Sequence, residues 1–473
     1  MKSYKPMRAK PSFLISVLLI LMSCYSVTDK EVCPILRVSQ NKRFLVTENG
    51  DPFFWTGDTG WLLFTKLNRE DAERYFEDRR QKGFNVIQVM VLHNTKKAVN
   101  VYGDSALING DIERPFTKPG NSPDDPKQYD YWDHVDYLIN LAHKKGLYMA
   151  LVPLWGSNVK NGSITREKAL KYTEWLAGRY KNTSNVVWLN GGDIKGSDST
   201  AIWQIIGSTL RKLCPDQLIS FHPYGRTQSS GWFQSETWLD FNMFQSGHRR
   251  YDQDTADLRY GEDNWKYVNA DYKKVPVKPT LDGEPSYEGI PQGLHDPTQP
   301  YWTDSDIRRY AYWSVFAGGC GFTYGNNAIM QFHKEGDLES SYGVKDSWEV
   351  ALNAPGAAQM IYLKQLMMSR DYFDRIPAQD LIAGIQGEKY DYLAATKGRD
   401  YAFIYTCNGK TMNINLGRMN LSSIIASWYN PRNGILSRIG TYKAEGIMSF
   451  DPPGDKVKGN DWVLILDSTI KNQ

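Results

Sequence analysis

The chain has 473 residues, of which 13% are aromatic, including 15 Trp and 29 Tyr, and its net charge is +3. This length exceeds one (β/α)₈ barrel of about 250 residues, so a barrel with an appended domain is expected. The nearly balanced charge argues against a nucleic-acid partner. The Trp and Tyr rings offer amphipathic faces that suit sugar rings as well as a protein core.

The N-terminus has the features of an export signal. Basic residues precede an apolar run at residues 13–22, which is too short to span a bilayer stably. The motif Leu21-Met22-Ser23-Cys24 resembles a bacterial lipobox, which predicts a lipoprotein signal at residues 1–24 with lipidation at Cys24. An ordinary cleaved signal peptide is the alternative. Residues 25–34 would then be a tether, and the lipid would anchor the exported protein in the periplasm or at the outer-membrane surface.

Eight short apolar segments alternate with helical segments along the next part of the chain. Because parallel strands are buried on both faces, these segments predict the strands of a (β/α)₈ barrel over residues 35–375. A hairpin with an Asn-Gly turn precedes them, and helices are predicted after Asn68 and at residues 132–145, 165–180 and 304–317. The last helix should expose Arg308, Arg309 and Tyr310. The predicted strands are residues 53–56, 84–92, 147–155, 185–193, 218–223, 241–245, 278–284 and 318–324.

Two further segments depart from the barrel pattern. Residues 95–130 are rich in Gly, Pro, Asn and Asp, and a loop of this length should overhang the mouth of the barrel. Residues 376–473 contain short alternating runs separated by turn clusters, which predict a small antiparallel β-sandwich. Only four cysteines follow Cys24, without CxxC spacing, so neither a disulfide framework nor a metal cluster is expected.

Two carboxylates follow the ends of predicted strands four and seven. Asp193 ends the segment NVVWLNGGD, and Glu284 lies in the segment DGEP. Residues just past the strand ends of a barrel meet at one mouth, and glycoside hydrolysis needs a pair of carboxyl groups there. The glycines before Asp193 let substrate approach the backbone, which favours Asp193 as acid/base and Glu284 as nucleophile. Strands four and seven face each other across a narrow mouth, which favours the short separation of a retaining mechanism.

Polar and aromatic side chains follow the same strand ends and are predicted to bind the sugar. Three of them are histidines, which could also form a metal site, but metal-binding histidines more often have helical or short local spacing. No metal or cofactor is therefore predicted. The predicted substrate-binding residues are Asp58, Trp61, His93, Trp155, Asn190, His222, Tyr224, Gln245, His248 and Asn326.

Four separated motifs resemble the apiosidase-like glycoside hydrolases: FWTGDTGW at residues 54–61, GFNVIQ at 83–88, NGGD at 190–193 and DGEP at 282–285. The segment WYNPRNG at residues 428–434 resembles the β-domain that commonly follows them, often labelled as collagen-binding. The resemblance implies a (β/α)₈ enzyme that releases apiose from rhamnogalacturonan-II side chains of plant pectin. One departure concerns strand four, which ends in Asn-Glu in many retaining barrels. The shorter Asp193 requires the backbone to bring it nearer to the scissile oxygen.

Two other functions compete with this hypothesis. The same barrel could hydrolyse another plant or host glycoside, and the residues do not separate these substrates. Alternatively, the chain could be a non-catalytic glycan- or matrix-binding lipoprotein, although a pure binding protein has no need of the acid pair. In each case the expected partner is an oligosaccharide or polysaccharide, the only membrane contact is the lipid anchor, and the oligomeric state is open.

Overall fold

A short antiparallel sheet precedes the barrel. It comprises β1 (Leu36–Val38), β2 (Leu45–Thr47) and β3 (Pro52–Phe53). A computed structural model of the protein describes residue 1 and residues 33–160, 162–254 and 260–470. The predicted signal, Cys24 and most of the predicted tether lie outside these residues.

Eight parallel strands form the barrel, and all eight predicted strand segments are confirmed. Each strand pairs with its neighbours in chain order, except that β8 (Ile219–Pro223) and β10 (Asn242–Gln245) adjoin at a seam. At the seam Asp240 N donates to Ile219 O over 2.8 Å, and β9 (Thr227–Gln228) pairs antiparallel with β10. The parallel strands are β4 (Trp55–Thr59), β5 (Val86–Met90), β6 (Tyr148–Val152), β7 (Val186–Ile194), β8 (Ile219–Pro223), β10 (Asn242–Gln245), β11 (Thr280–Asp282) and β12 (Gly321–Tyr324).

Helices connect the strands and cover the outside of the barrel. The predicted cap of the second helix is confirmed, since the Asn68 side chain accepts from Asp71 N over 2.7 Å. The α-helices are α1 (Leu63–Lys66), α2 (Arg69–Gln81), α3 (Tyr131–Lys144), α4 (Gly156–Lys160), α5 (Arg166–Tyr180), α6 (Thr200–Leu213), α7 (Ser230–Phe233), α8 (Trp265–Tyr272), α9 (Asp304–Phe316), α10 (Asn327–Met330), α11 (Trp348–Ala351) and α12 (Pro355–Met368).

The barrel strands are apolar throughout because both of their faces are covered. In β5, Val86 and Met90 belong to the cluster that fills the barrel, whereas Ile87 and Val89 belong to the cluster between strands and helices. All residues of this strand are buried. Continuous apolar runs, rather than alternating ones, are what a parallel sheet with two buried faces requires.

The C-terminal part is an antiparallel β-structure, as predicted. A six-stranded sheet faces a two-stranded sheet across a core of its own. Side chains alternate along β15: Ala402 and Ile404 join that core, whereas Phe403 and Tyr405 pack against the barrel. The strands are β13 (Ile376–Pro377), β14 (Ala394–Lys397), β15 (Tyr401–Thr406), β16 (Met412–Asn415), β17 (Ser423–Tyr429), β18 (Leu436–Lys443), β19 (Ile447–Phe450) and β20 (Trp462–Ser468).

One expectation for α9 is wrong. Arg308, Arg309 and Tyr310 were expected at the surface, but all three are buried. The C-terminal sheet covers this helix: the Tyr312 ring stacks on Tyr405 with centroids 4.7 Å apart, and Arg308 Nε lies 2.8 Å from Asp461 Oδ2. Helical periodicity cannot reveal a second domain that packs on the outer face of a helix.

The cysteines and the helices bear on two further points. Four cysteines in the described part of the chain are buried, namely Cys33, Cys214, Cys320 and Cys407, and the last three of them are free thiols. None of the helices in the described ranges is long and apolar enough to cross a membrane.

Candidate active site

The two predicted catalytic carboxylates line one cavity at the C-terminal mouth of the barrel. Asp193 lies near the end of β7, and Glu284 follows β11 by two residues. Both side chains contribute to a cavity of ≈700 Å³. Parallel strands deliver their C-terminal residues to this end of a barrel, where such enzymes carry out their chemistry.

A bulge in β7 brings Asp193 into the cavity. Gly191, Gly192 and Asp193 have φ values of 93°, 106° and 47°, and the pairing of β7 with β8 is interrupted between Gly191 and Ile194. A Cβ atom on Gly191 would lie 2.7 Å from His222 O, and one on Gly192 would lie 2.5 Å from Trp155 Cε3. Both positions therefore require glycine, for the left-handed backbone and for the close approach.

The backbone around Glu284 is fixed by hydrogen bonds from other strands. Gln88, inside the barrel, donates through Nε2 to Gly283 O over 2.8 Å. On the other side, the Ser286 hydroxyl donates to Gly247 O over 2.8 Å. These bonds hold the end of β11 in place and leave the Glu284 side chain directed at the cavity.

Two histidines contact the Glu284 carboxylate, one on each oxygen. His222 Nε2 lies 3.1 Å from Oε2, and His248 Nε2 lies 3.3 Å from Oε1. Burial by itself would raise the pKa of Glu284, but the two histidines outweigh burial and lower it well below its usual range. Glu284 is therefore a charged carboxylate at neutral pH.

Asp193 has the opposite protonation behaviour. Protein surrounds much of its side chain, although the carboxyl itself is exposed to the cavity. Burial and the nearby negative charge of Glu284 raise the pKa of Asp193, while His222 partly offsets that rise. Solvent that reaches the exposed carboxyl group reduces this rise in pKa. The pair thus combines a carboxyl group that retains its proton with one that is ionised, as general acid catalysis beside a nucleophile requires.

Comparisons with known proteins agree with this chemistry. A family model described as "Apiosidase-like, catalytic domain" matches residues 39–374. The chain belongs to this glycoside hydrolase family. It is therefore an enzyme that hydrolyses glycosidic bonds. A second family model, described as "Putative collagen-binding domain of a collagenase", matches residues 376–467 of this apiosidase-like chain.

Solved structures support the assignment to the glycoside hydrolases. A structure titled "Glycoside hydrolase" is 44% identical, with a TM-score of 0.87, and the match covers 93% of this chain and 98% of that one. A glycoside hydrolase family 5 structure from Bacteroides vulgatus ATCC 8482 is 42% identical, with a TM-score of 0.87 and coverage of 93% and 94%. No curated protein sequence matches the chain.

Aromatic residues form the walls next to the acid pair. The Trp61 and Trp155 rings lie 5.3 Å apart, and Trp61 Nε1 donates to the Tyr287 hydroxyl over 3.1 Å. The long insertion contributes Lys97, Ala98 and Val99 to the lining. The insertion thus walls one side of the cavity, as the sequence predicted for this segment.

Most of the predicted substrate-binding residues of this apiosidase-like enzyme meet at the cavity. His222 lies directly behind the lining, where it contacts Glu284. The lining residues among them are Trp61, His93, Trp155, Tyr224, Gln245 and His248.

Besides His222, three predicted residues lie outside the cavity lining, and their side chains hold secondary structure instead. Asp58 is fully buried, and its Oδ2 lies 2.6 Å from Arg79 Nε. Asn190 donates through Nδ2 to Trp203 O of α6 over 2.8 Å, and the Asn326 side chain accepts from Ala328 N at the start of α10. The structure therefore places these side chains away from the predicted sugar contacts.

Several lining residues were missed by the sequence analysis. Tyr287 follows Glu284 by three residues and Arg249 follows His248 directly, so their proximity to predicted residues was the available signal. The others lie on long loops after β8, β11 and β12, and their positions carry no local pattern. These residues are Arg226, Leu294, His295, Gln331 and Tyr342.

The charged lining residues pair mostly with one another or with nearby acids. Arg226 Nε lies 3.1 Å from Asp254 Oδ1.

Within the described ranges there is no group of three or more His, Cys, Asp or Glu side chains that could hold a metal ion. His93, His222 and His248 are thus not gathered into such a group.

Proposed function

We propose that the protein is an exo-acting glycosidase that releases a terminal sugar, with apiose as the favoured candidate, from rhamnogalacturonan-II side chains of pectin. The observation that carries the proposal is the opposed protonation of two carboxyl groups in one cavity. Burial and the Glu284 charge raise the pKa of Asp193, whereas His222 and His248 lower that of Glu284 despite its burial. The choice of apiose rests on the family resemblance and on the description of the matching family model.

In the proposed mechanism Glu284 is the nucleophile and Asp193 the acid/base. The Glu284 carboxylate attacks the anomeric carbon while Asp193 gives its proton to the glycosidic oxygen, so the leaving sugar departs as an alcohol. The Asp193 carboxylate then removes a proton from water, which attacks the anomeric carbon of the glycosyl-enzyme. This second step frees the sugar and regenerates both groups.

A retaining outcome stays a prediction from the placement of the two strands. Retention needs carboxyl groups about 5–5.5 Å apart, and inversion about 6.5–9.5 Å. The side chain of aspartate is short, but the bulge in β7 moves its backbone towards the cavity. Proton NMR of the first-formed sugar distinguishes the outcomes: retention of the anomeric configuration is expected, and inversion would exclude Glu284 as the nucleophile.

The shape of the cavity favours action on a chain end. The long insertion lines one side, and the loop after β12 lines another with Gln331, Ser341 and Tyr342. A pocket walled in this way suits a terminal sugar better than an open groove would. Release of single sugars, rather than internal fragments, from pectic oligosaccharides is the expected product pattern.

The experiment that tests the function is a product screen on pectic oligosaccharides with wild type, Asp193→Ala and Glu284→Ala. Both variants should lose about 10²–10⁴-fold or more in kcat/KM, because a positioned acid/base alone contributes this much. Glu445→Ala, which removes an exposed carboxylate of the C-terminal domain, is the matched control and should keep wild-type activity. Near-normal turnover by either carboxylate variant would exclude this assignment.

Other candidate functions are separated by the same screen. Hydrolysis of a different glycoside, with both carboxylates required, would keep the mechanism and replace apiose as the substrate.

We also propose that the protein is exported and lipid-anchored through Cys24. The proposal rests on the lipobox-like motif that precedes this cysteine in the sequence. Metabolic labelling with a radioactive fatty acid should mark the wild type and not Cys24→Ser. Labelling of both proteins, or of neither, would argue for an ordinary signal peptide or another site.

A further inference from the structure

His222 contacts both catalytic residues through different ring nitrogens, at the backbone of Asp193 and at the carboxylate of Glu284. The backbone N–H of Asp193 donates to Nδ1 over 3.2 Å, and Nε2 lies 3.1 Å from Glu284 Oε2. A neutral imidazole has one donor nitrogen and one acceptor nitrogen. Because Nδ1 accepts, the proton of the neutral ring is on Nε2, where it faces Glu284.

We propose that His222 is a positioning residue that couples the two carboxylates, holding the backbone of Asp193 with one nitrogen and the side chain of Glu284 with the other. This inference rests on the proposed function, because it assigns both carboxylates to one reaction. The proposed role does not include contact with the sugar, because His222 does not line the cavity.

The bulge in β7 explains why Asp193 needs such a partner. Pairing of β7 with β8 is interrupted between Gly191 and Ile194, so the Asp193 N–H has no ladder partner on β8. His222, on β8, supplies the acceptor from its side chain instead. Without this acceptor, the peptide group before Asp193 could rotate out of its strained, left-handed conformation, and the side-chain carboxyl group would move with the backbone.

The ring of His222 is itself fixed. It is fully buried, and the Trp61 ring meets it edge-on at a centroid distance of 5.2 Å while Trp155 lies at 5.7 Å. His222 Nε2 and Glu284 Oε2 lie 3.1 Å apart in an ion-pair contact, and among the described residues neither atom has a hydrogen-bond partner of good geometry. The contact between the two atoms therefore has to offset the desolvation cost that burial imposes on each of them.

His222 and His248 contact Glu284 in different ways. His248 approaches the other carboxylate oxygen. Within the part of the chain that the structure describes, His222 contacts both Asp193 and Glu284, whereas the His248 ring contacts only Glu284 of these two residues. The titratable groups that face Glu284 from the surrounding elements are Asp193, His222, His248, Tyr287 and Tyr342.

Two substitutions separate the two contacts of the imidazole. In His222→Asn, the side-chain oxygen takes the place of Nδ1 and can accept from Asp193, but nothing replaces Nε2. In His222→Gln, the amide nitrogen takes the place of Nε2 and can donate to Glu284, but nothing replaces Nδ1. The test measures kcat/KM against pH for both variants, on a pectic oligosaccharide and on a 4-nitrophenyl glycoside of the same sugar.

We expect the two variants to fail in different ways. In His222→Asn, Glu284 loses a stabilising contact, so the acid limb of the profile should move to higher pH by about one unit. In His222→Gln the acid limb should stay in place, but the positioned acid is lost. The decrease in kcat/KM should then be greater on the oligosaccharide than on the 4-nitrophenyl glycoside by a factor of ~10 or more, because the 4-nitrophenyl leaving group needs little protonation.

His143→Asn is the matched control. His143 lies in the last turn of α3, which leads into the opposite end of the barrel, so neither limb should move. An unchanged acid limb in His222→Asn, or equal losses on both substrates in His222→Gln, would overturn the proposal and leave His222 with a packing role.

A measurement on the wild-type protein is independent of activity. Nitrogen-15 NMR of labelled histidine should show His222 with Nε2 protonated and Nδ1 as acceptor, and the opposite tautomer would overturn the proposal. A wild type that hydrolyses no glycoside would count against the proposed function alone, and the tautomer would then decide whether His222 holds the two groups as described.

Discussion

Replacing Gly192 by alanine tests whether the bulge in β7 places the catalytic acid. The φ angle of Gly192 is 106°, and an added Cβ would lie 2.5 Å from Trp155 Cε3 and 3.1 Å from Trp155 Cδ2. The ring cannot move away freely, because it packs against Trp61 and His222. The substitution therefore strains the backbone and pushes a cavity wall at once.

The expected cost follows from these two effects. An L-residue in the left-handed region costs about 1–2 kcal/mol, and overpacking at a rigid position costs about 1–3 kcal/mol. Together they give about 2–5 kcal/mol, part of which the protein relieves by straightening the bulge. Straightening would move Asp193, and a displacement of ~1 Å at a catalytic group can reduce the rate ~10²-fold.

The assay combines thermal denaturation with kcat/KM on a pectic oligosaccharide. Gly178→Ala is the matched control, because Gly178 lies in α5 and an added Cβ would meet nothing within 4 Å. That control should gain about 0.5–1 kcal/mol from the higher helix propensity of alanine, without a change in activity. Wild-type values of both the melting temperature and kcat/KM for Gly192→Ala would refute the role of the bulge.

Three further predictions concern pH and buried charges. Asp193 acts in its protonated form and its pKa is raised to about 7, so kcat/KM should fall as the pH rises through that value. If the residual activity of Asp193→Asn still falls over the same pH range, another group is responsible for the fall. Arg308→Met removes the bidentate partner of the buried Asp461, which Arg432 approaches only to 3.8 Å, and this should cost about 3–5 kcal/mol in thermal denaturation; a changed product or kcat/KM of the folded enzyme would instead connect the C-terminal domain to catalysis. Asp58→Asn should also lower the free energy of unfolding, because the buried Arg79 loses one of its two carboxylate partners and keeps only Asp78, with KM unchanged; a raised KM at normal stability would restore the predicted sugar contact.

The barrel was predictable because its strands carry a strong local signal. Runs such as residues 84–92 are apolar without alternation, and each is closed by glycine or polar residues. Burial on both faces leaves this pattern in the sequence whatever the neighbouring strands are. The rule that strand ends meet at one mouth then brought Asp193 and Glu284 together without any knowledge of their contacts.

The same rule failed where a strand continued further than its apolar run. Strand β4 extends to Thr59, so Asp58 lies within it and not in a loop beyond it. Its side chain points out of the barrel, to Arg79 on α2. Asn190 likewise faces α6 from within β7. Since successive side chains of a strand point to opposite faces, an error of one residue in the position of a side chain along a strand exchanges a cavity position for a helix-facing one.

The walls of the cavity were the least predictable part. Leu294 and Tyr342 reach the cavity from loops that have no secondary-structure pattern, so their positions depend on contacts between distant parts of the chain. The burial of Arg308 has the same origin, because it depends on the packing of a second domain. Local periodicity contains no information about either arrangement.

The division of roles between the two carboxyl groups depends on geometry that residue types do not express. Asp193 lies near the end of β7 and Glu284 just after β11, and their intrinsic acidities differ little. The difference comes from their neighbours, since two histidines stabilise the charge on Glu284, and that charge in turn favours the protonated form of Asp193. The two ionisation states are therefore coupled: the contacts that make Glu284 a nucleophile also help to make Asp193 an acid. A barrel that kept both carboxylates but lost the histidines on β8 and after β10 would keep the pair and lose the difference in protonation on which glycoside hydrolysis depends.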